Sequence, residues 1–143
     1  MNHIRAIAIC IFRNEQKILV AQAVDPVKNQ TFYRPLGGGI EFGEKSEETI
    51  HREIMEELHE KVTHLRYLGT LENIFVFNGQ AGHEIVQVYD GKLANSKLYE
   101  QLELNGFEEG AGQFIAIWKD LEEFNSQSPL YPDGLQEMLM KMI

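Results

Sequence analysis

Gly37-Gly38-Gly39-Ile40-Glu41-Phe42-Gly43-Glu44 leads directly into a segment, residues 46–58, that ends Arg52-Glu53-Ile54-Met55-Glu56-Glu57-Leu58. The spacing predicts a helix over 46–58. Ile50, Ile54 and Leu58 recur every fourth residue and mark one buried face. Ser46 is placed as the N-cap, and Glu47 and Glu48 follow in the first turn, where negative charge suits the helix dipole. The far end breaks that rule. Glu53, Glu56 and Glu57 stand at i, i+3 and i+4, so three carboxylates share a face near the C-terminus, where the dipole disfavours them. Each such contact costs only about 0.2–1 kcal/mol. Several together call for full solvation or for a compensating cation. A solvated acidic face and an oxygen-rich site for a hard divalent ion both satisfy the helix taken alone.

The flanking glycines shift the balance toward a site. Glycine lets a backbone approach a ligand closely and adopt positive φ, and Gly37-Gly38-Gly39 reads as a loop feeding the acidic helix. Just before it, Arg34 in Phe32-Tyr33-Arg34-Pro35-Leu36 is placed either on a substrate phosphate, which a guanidinium binds in bidentate fashion, or in a surface ion pair.

Gly38, Glu44, Arg52, Glu53, Ile54, Glu56 and Glu57 together resemble the Nudix box, Gly-x5-Glu-x7-Arg-Glu-U-x-Glu-Glu-x-Gly-U, where U is a large aliphatic residue. The resemblance implies an α+β chain with the Nudix fold, an α/β/α sandwich around a mixed sheet. It also implies a hydrolase that cleaves a diphosphate linkage in a nucleoside triphosphate or nucleoside diphosphate derivative, with Mg2+, or Mn2+, as cofactor. Glu53 and Glu57 are then the first metal ligands. Glu56 joins them or acts as the base that activates water, and the Gly37 carbonyl and Glu109 complete the metal set. Arg34, Gly38 and Gly39 are expected at the substrate. Arg52 is expected to brace Glu44, and so the loop, against the helix; its rival role is an i,i+4 partner of Glu48 or Glu56. The sequence departs from the box at its end, where His59 replaces the glycine and Glu60 the aliphatic residue. Histidine tolerates the left-handed conformation better than most side chains, so the turn is expected to survive. The nearest aliphatic residue is Val62.

Two other classes fit parts of the pattern. A non-catalytic nucleotide-sensing module of the same shape would have lost box carboxylates, and this chain keeps them. An isoprenoid diphosphate isomerase should need a cysteine near the site, and the one cysteine, Cys10, lies in the apolar run Ile7–Phe12. There it reads as a small buried hydrophobe. Subfamily markers for substrate, a proline or a tyrosine downstream of the box, are missing from Asn73-Ile74-Phe75-Val76-Phe77-Asn78. Phe75 or Phe77 is suited either to stack on a base or to fill the core.

The rest of the chain is read as one domain over 1–143. Its length of 143 residues and hydrophobic fraction of 43% suit a single core. Residues 4–12 and 17–24 read as a hairpin, and 31–35 as extended. Residues 63–71, 73–78 and 83–90 read as strands, with Asn78 to Gly82 a hairpin loop. A short helix is placed over 95–104, a strand over 113–118, and a terminal helix over Pro132–Ile143 with Leu135, Met138, Leu139 and Met142 inward. His83 and Glu84 must face opposite ways, so one of the two faces the cleft. The net charge of -9 argues against polymeric nucleic acid as partner. With no signal-peptide pattern and no apolar run long enough to span a bilayer, the expectation is a cytoplasmic protein acting on a small molecule, with a homodimer allowed.

Overall fold

The computed structural model describes residues 2–142. Eight strands form one sheet in the order β5-β6-β1-β2-β8-β7, with β4 added on β1 and β3 on β2. The strands are β1 Ile4–Asn14, β2 Lys17–Asp25, β3 Gln30–Arg34, β4 Leu36–Gly39, β5 Val62–Phe77, β6 Gln80–Leu93, β7 Glu103–Glu108 and β8 Gly112–Asp120. Helix α1 spans Ser46–Leu58 and α2 spans Leu135–Met140. β1 runs parallel to β6 and the other pairings are antiparallel. A parallel neighbour together with antiparallel ones makes the sheet mixed.

β1 explains the sandwich. Its residues alternate between faces, and both faces are apolar. Ala8, Cys10 and Phe12 pack with Ile50 and Ile54 of α1, whereas Ile9 and Ile11 pack with Leu135 and Leu139 of α2. A strand covered on both sides reads as the continuous apolar run seen in the sequence. β1 and β2 pair only next to their turn, where Arg13 faces Ile18 and Asn14 faces Lys17. Beyond that they diverge, β1 pairing with β4 over Ile7–Cys10 and β2 with β3 and β8. The gap between them becomes the cleft.

Several elements differ from the sequence-based expectation. The three glycines are not a loop: Gly37, Gly38 and Gly39 are paired with Ile9, Ala8 and Ile7 as part of β4. The expected break between 63–71 and 73–78 is absent, because β5 continues through Glu72 and absorbs its irregularities as register shifts between Thr63 and Arg66 and between Tyr67 and Gly69. The five-residue hairpin loop shrinks to Asn78-Gly79, both at positive φ, the conformation a tight two-residue hairpin requires. Over 95–104 only a short 3-10 helix forms, Ser96–Glu100. Tyr99 stacks on Trp118 and takes the Leu93 N–H on its hydroxyl, which stops the helix and frees Glu103 onward to pair as β7. The terminal helix starts three residues late, after Gly134 at φ 88. Leu135 and Leu139 are buried and Met138 packs against them, but Met142 is 44% exposed; Ile143 lies outside the described residues. Ser46 is the first helical residue rather than the cap. Lys45 holds the cap position, its N–H donating to Glu48, and the Ser46 hydroxyl shares a hydrogen bond with Tyr89 at 2.6 Å.

α1 ends as the box position demands. His59 takes the left-handed conformation, φ 57 and ψ 37, and its N–H closes on the Met55 carbonyl. Glu60, at the last box position, is half-buried, and Val62 at the start of β5 is buried in the core with Ile50 and Ile54. A side chain in the left-handed region is strained by roughly 1 kcal/mol. His59→Gly is therefore expected to leave the free energy of unfolding unchanged or to raise it by up to about 1 kcal/mol, whereas His59→Val should lower it. Urea unfolding of the three proteins checks the order.

Candidate active site

The Arg52 guanidinium organises the approach from β4 to α1. Its Nε donates to Glu44 Oε2 at 2.7 Å and its Nη2 to Glu44 Oε1 at 3.0 Å, a bidentate pair. The same Nη2 reaches the Gly39 carbonyl at 3.0 Å, and Nη1 donates to Glu53 at 2.9 Å. The Thr49 hydroxyl adds a bond to Glu44 at 2.6 Å. Arg52, and after it Thr49, hold the Glu44 carboxyl down to about 2. One cation thus ties the loop after β4, the end of β4 and the helix together. The i,i+4 contact to Glu56 exists but is long, 3.5 Å, and Glu48 is engaged at Lys45 instead.

α1 then lies against the glycine strand closely enough to exclude side chains there. A Cβ on Gly38 would stand 2.4 Å from the Glu53 carboxyl carbon, and one on Gly37 would stand 2.1 Å from the Ala8 carbonyl. The glycines are required by approach: β4 must sit on β1, and Glu53 must sit on β4. Next to Glu53, Glu57 is 5% exposed, and its Oε1 has no hydrogen-bond partner. Burial pushes the Glu57 carboxyl up to about 8, and the charges of Glu53 and Glu108 add to the rise; Arg34 and the Gly37 N–H pull the other way. Burial also raises Glu53, against the pull of Arg52.

Glu57, Gly37 and Gly38 line a cleft of about 460 Å³ that opens between the diverging β1 and β2, with Ile7 and Ile9 on one wall and Ala21 and Ala23 on the other. Arg34 stands in the cleft too, ion-paired with Glu108 at 3.3 Å. The carboxylate that this loop brings to the cleft is therefore Glu108, not the expected Glu109. Leu104 and Gly106 are buried, and period two along β7 puts Glu108 on their side. Glu109 falls in the following turn and is exposed. Of the neighbouring pair on β6, Glu84 lines the cleft and bonds to Arg5 at 3.4 Å. Glu56 is half exposed and outside the lining. Gly39 lies off the lining as well, committed through its carbonyl to Arg52.

The far end of the cleft is aromatic. Phe75 and Phe77 of β5 both line it, with Phe32 and Tyr131. Phe32 meets Phe77 and Tyr131 edge-on at 5.8 and 5.6 Å. Sequence reasoning missed Tyr131 and Asn73 here. An asparagine directly before the apolar run Ile74–Phe77 was the available signal for Asn73. Tyr131 had none, since it arrives from the C-terminal segment that pairs with Tyr33 across the fold.

The NUDIX domain family model matches residues 1–139. The chain belongs to the Nudix family. Its fold is similar to that of a MutT NUDIX hydrolase from Burkholderia pseudomallei, with TM-score 0.69 and 18% identity over 99% of this chain and 100% of that one. It is similar also to a NUDIX hydrolase from Nitrosomonas europaea (TM-score 0.59, 14% identity, 85% and 75% covered). A third likeness is the E. coli ORF135 protein (TM-score 0.59, 21% identity, 99% and 91% covered). Family membership supports hydrolase chemistry of the pyrophosphohydrolase type, and Nudix hydrolases generally use divalent metal ions. No helix among the described residues of this Nudix chain is long and apolar enough to cross a membrane.

Glu57 makes the stability of the metal-free protein depend on pH. Its folded value, about 8, lies above the unfolded value near 4.5, so the protonated form is favoured by folding. That contribution is complete below about pH 4.5 and is lost as pH rises through about 8. Glu44 works oppositely, but only between about 4.5 and 2. In chelator, unfolding free energy is expected to fall between about pH 5 and 8.5, by a few kcal/mol at most. In Glu57→Gln most of that slope should vanish, and urea titrations at stepped pH measure it.

Proposed function

We propose that the chain hydrolyses a diphosphate linkage in a nucleoside triphosphate or a nucleoside diphosphate derivative, by attack of water on phosphorus with Mg2+, or Mn2+ in its place. The observation that carries this reading is the Glu57 carboxylate, buried at one end of the cleft with an oxygen that nothing in the protein satisfies. A stability-driven sequence would not leave a buried carboxylate without a donor. Among the described residues no three acidic or histidine groups converge as a ready cage. The fit lies in the donor set: the charges of Glu53 and Glu108 lie close enough to raise the proton affinity of Glu57, with Arg52 holding Glu53 in place. Hard oxygens with unbalanced negative charge are what a hard divalent ion takes up.

When bound, the ion supplies charge neutralisation at the phosphate oxygens and a Lewis-acidic centre. The chain's own residues do the rest. Glu53 and Glu57 would hold the ion, with the Gly37 carbonyl and Glu108 at its edge. Arg34, freed from Glu108, would take a phosphate oxygen. Glu56, half exposed and bonded only at long range to Arg52, is free to take a proton from water. Phe75, Phe77, Phe32 and Tyr131 would receive the apolar part of the ligand, which suits a small nucleotide-like partner. The sensing alternative gives the retained carboxylates no work. The isomerase alternative lacks its thiol, because Cys10 is buried in the core beneath α1, and burial pushes its proton affinity up.

Glu57→Gln is expected to lower kcat for nucleoside triphosphate hydrolysis by at least ~100-fold, the low end for losing a catalytic electrostatic group, with the fold unchanged. Millimolar magnesium should raise the melting temperature of the parent by mass action and raise that of Glu53→Gln less. Steady-state kinetics with a nucleotide panel and melting curves with and without magnesium test both. Near-normal turnover in Glu57→Gln would sink the assignment.

A further inference from the structure

One polar side chain at the aromatic end of the cleft is not used by the chemistry above. Asn73 sits in β5, lines the cleft and is only 5% exposed. Its Oδ1 accepts the backbone N–H of Asp133 at 3.1 Å. That bond fixes the amide's orientation, since a backbone N–H can be met only by the oxygen. The Nδ2 group is left with two N–H donors, and it finds no acceptor among the described residues. The amine keeps solvent contact at the cleft, since among the described residues the fully buried side-chain atom without a partner is Glu57 Oε1 and not Asn73 Nδ2. Anchoring the segment at Asp133 to β5 needs the oxygen alone and does not account for the amine.

The surroundings define what would meet it. Phe75 and Phe77 follow Asn73 at i+2 and i+4 on the same face of β5, and Phe32 and Tyr131 close the space from the other side. A cleft end walled by aromatic rings, with the Asn73 amide at its edge and the Lys28 and Gln30 side chains also on the lining, suits a planar heteroaromatic ring that carries an acceptor.

We propose that Asn73 is a specificity-determining residue, donating from Nδ2 to a ring carbonyl and so selecting oxo bases over amino bases in the nucleotide. The proposal rests on the nucleotide reading of the cleft. A purine with O6 offers an acceptor to the amide, whereas adenine offers the N6 amine, so that donor faces donor. The same contrast separates the O4 of uracil or thymine from the N4 amine of cytosine. With its oxygen already engaged by Asp133, Asn73 is held with its donor end toward the ligand.

IMP and AMP test this, because they share ribose and phosphate and differ at the base edge. Each is titrated calorimetrically into the parent and into Asn73→Asp without metal, and hydrolysis of ITP and ATP with magnesium is followed separately. Asn73→Asp keeps the acceptor for the Asp133 N–H and turns the donor into a second acceptor. The parent is expected to bind IMP at least about 10-fold more tightly than AMP, the scale of one good base contact. In Asn73→Asp that ratio should fall to one or below, with a cooperative melting curve retained. Equal affinities in the parent overturn the proposal, as does failure of both nucleotides to bind or an unchanged ratio in the folded variant. If the variant does not fold, the parent's ratio decides alone. An IMP preference without hydrolysis of either triphosphate would remove the hydrolase reading and leave Asn73 its role. Hydrolysis of ITP and ATP at equal kcat/KM, with equal IMP and AMP affinities, would do the reverse.

Discussion

The bidentate pair between Arg52 and Glu44 is the contact on which the arrangement of the site depends. α1 and β4 are both apolar on their inner sides, so packing alone would let one slide along the other. Arg52 removes that freedom by meeting Glu44 before the helix, the Gly39 carbonyl at the end of β4, and Glu53 within the helix itself. Each partner lies in a different part of the chain. The guanidinium is mostly shielded, with 24% of its side chain exposed, and its five donors suit several carboxylates and a carbonyl at once. Lysine could supply the charge but not the fork. With the helix locked in register, Glu53 lands on Gly38 and Glu57 lands at the cleft.

That register places charge where folding alone would not put it. Glu53 and Glu57 lie one turn apart, near the negative end of the helix dipole and largely out of water. Ile50 and Ile54, fully buried on the adjacent face, hold the helix down regardless. The hydrophobic stripe and the acidic stripe thus divide the labour on one helix: the first sets its position, and the second carries an unfavourable charge distribution that a ligand can relieve.

How much of this was legible in the sequence depends on the range of the interactions. The helix and its buried isoleucines were readable from helical spacing, and the Arg52–Glu44 brace from the resemblance of the same segment to the Nudix box. The family fold was readable from the same segment. The glycine strand was misread, since glycine at a close approach and glycine in a loop look alike until it is known what approaches. The structure brings Glu108 rather than its neighbour Glu109 to the cleft because β7 fixes its side, and that strand is not legible in the sequence: the expected helix over 95–104 covers its first two residues and an expected loop covers its end. The continuous β5 was split at Glu72, as bulges elsewhere in the strand obscured its two-residue period. Asn73 and Tyr131 depended on a crossing between β5 and the C-terminal segment, sixty residues apart in the bond to Asp133, and no local pattern encodes such a meeting.

The way β1 and β2 part has a mechanical consequence. They are joined by two residue pairs at the turn, and Asn14 and Gln16 are tied there to the Tyr99 carbonyl at 2.8 Å and the Leu121 N–H at 3.1 Å. The cleft walls at Ile9 and Ala21 stand four and three residues beyond the last pair, Arg13 and Ile18, ~10–13 Å at strand rise. The two strands are joined a second time at that level, because Pro35 alone separates β3, which holds Arg34 opposite Ala21, from β4, which holds Leu36 opposite Cys10. The gap is thus a closed frame of backbone, fastened at the turn and again at Pro35, and its width is fixed by covalent chain on both sides of the ligand.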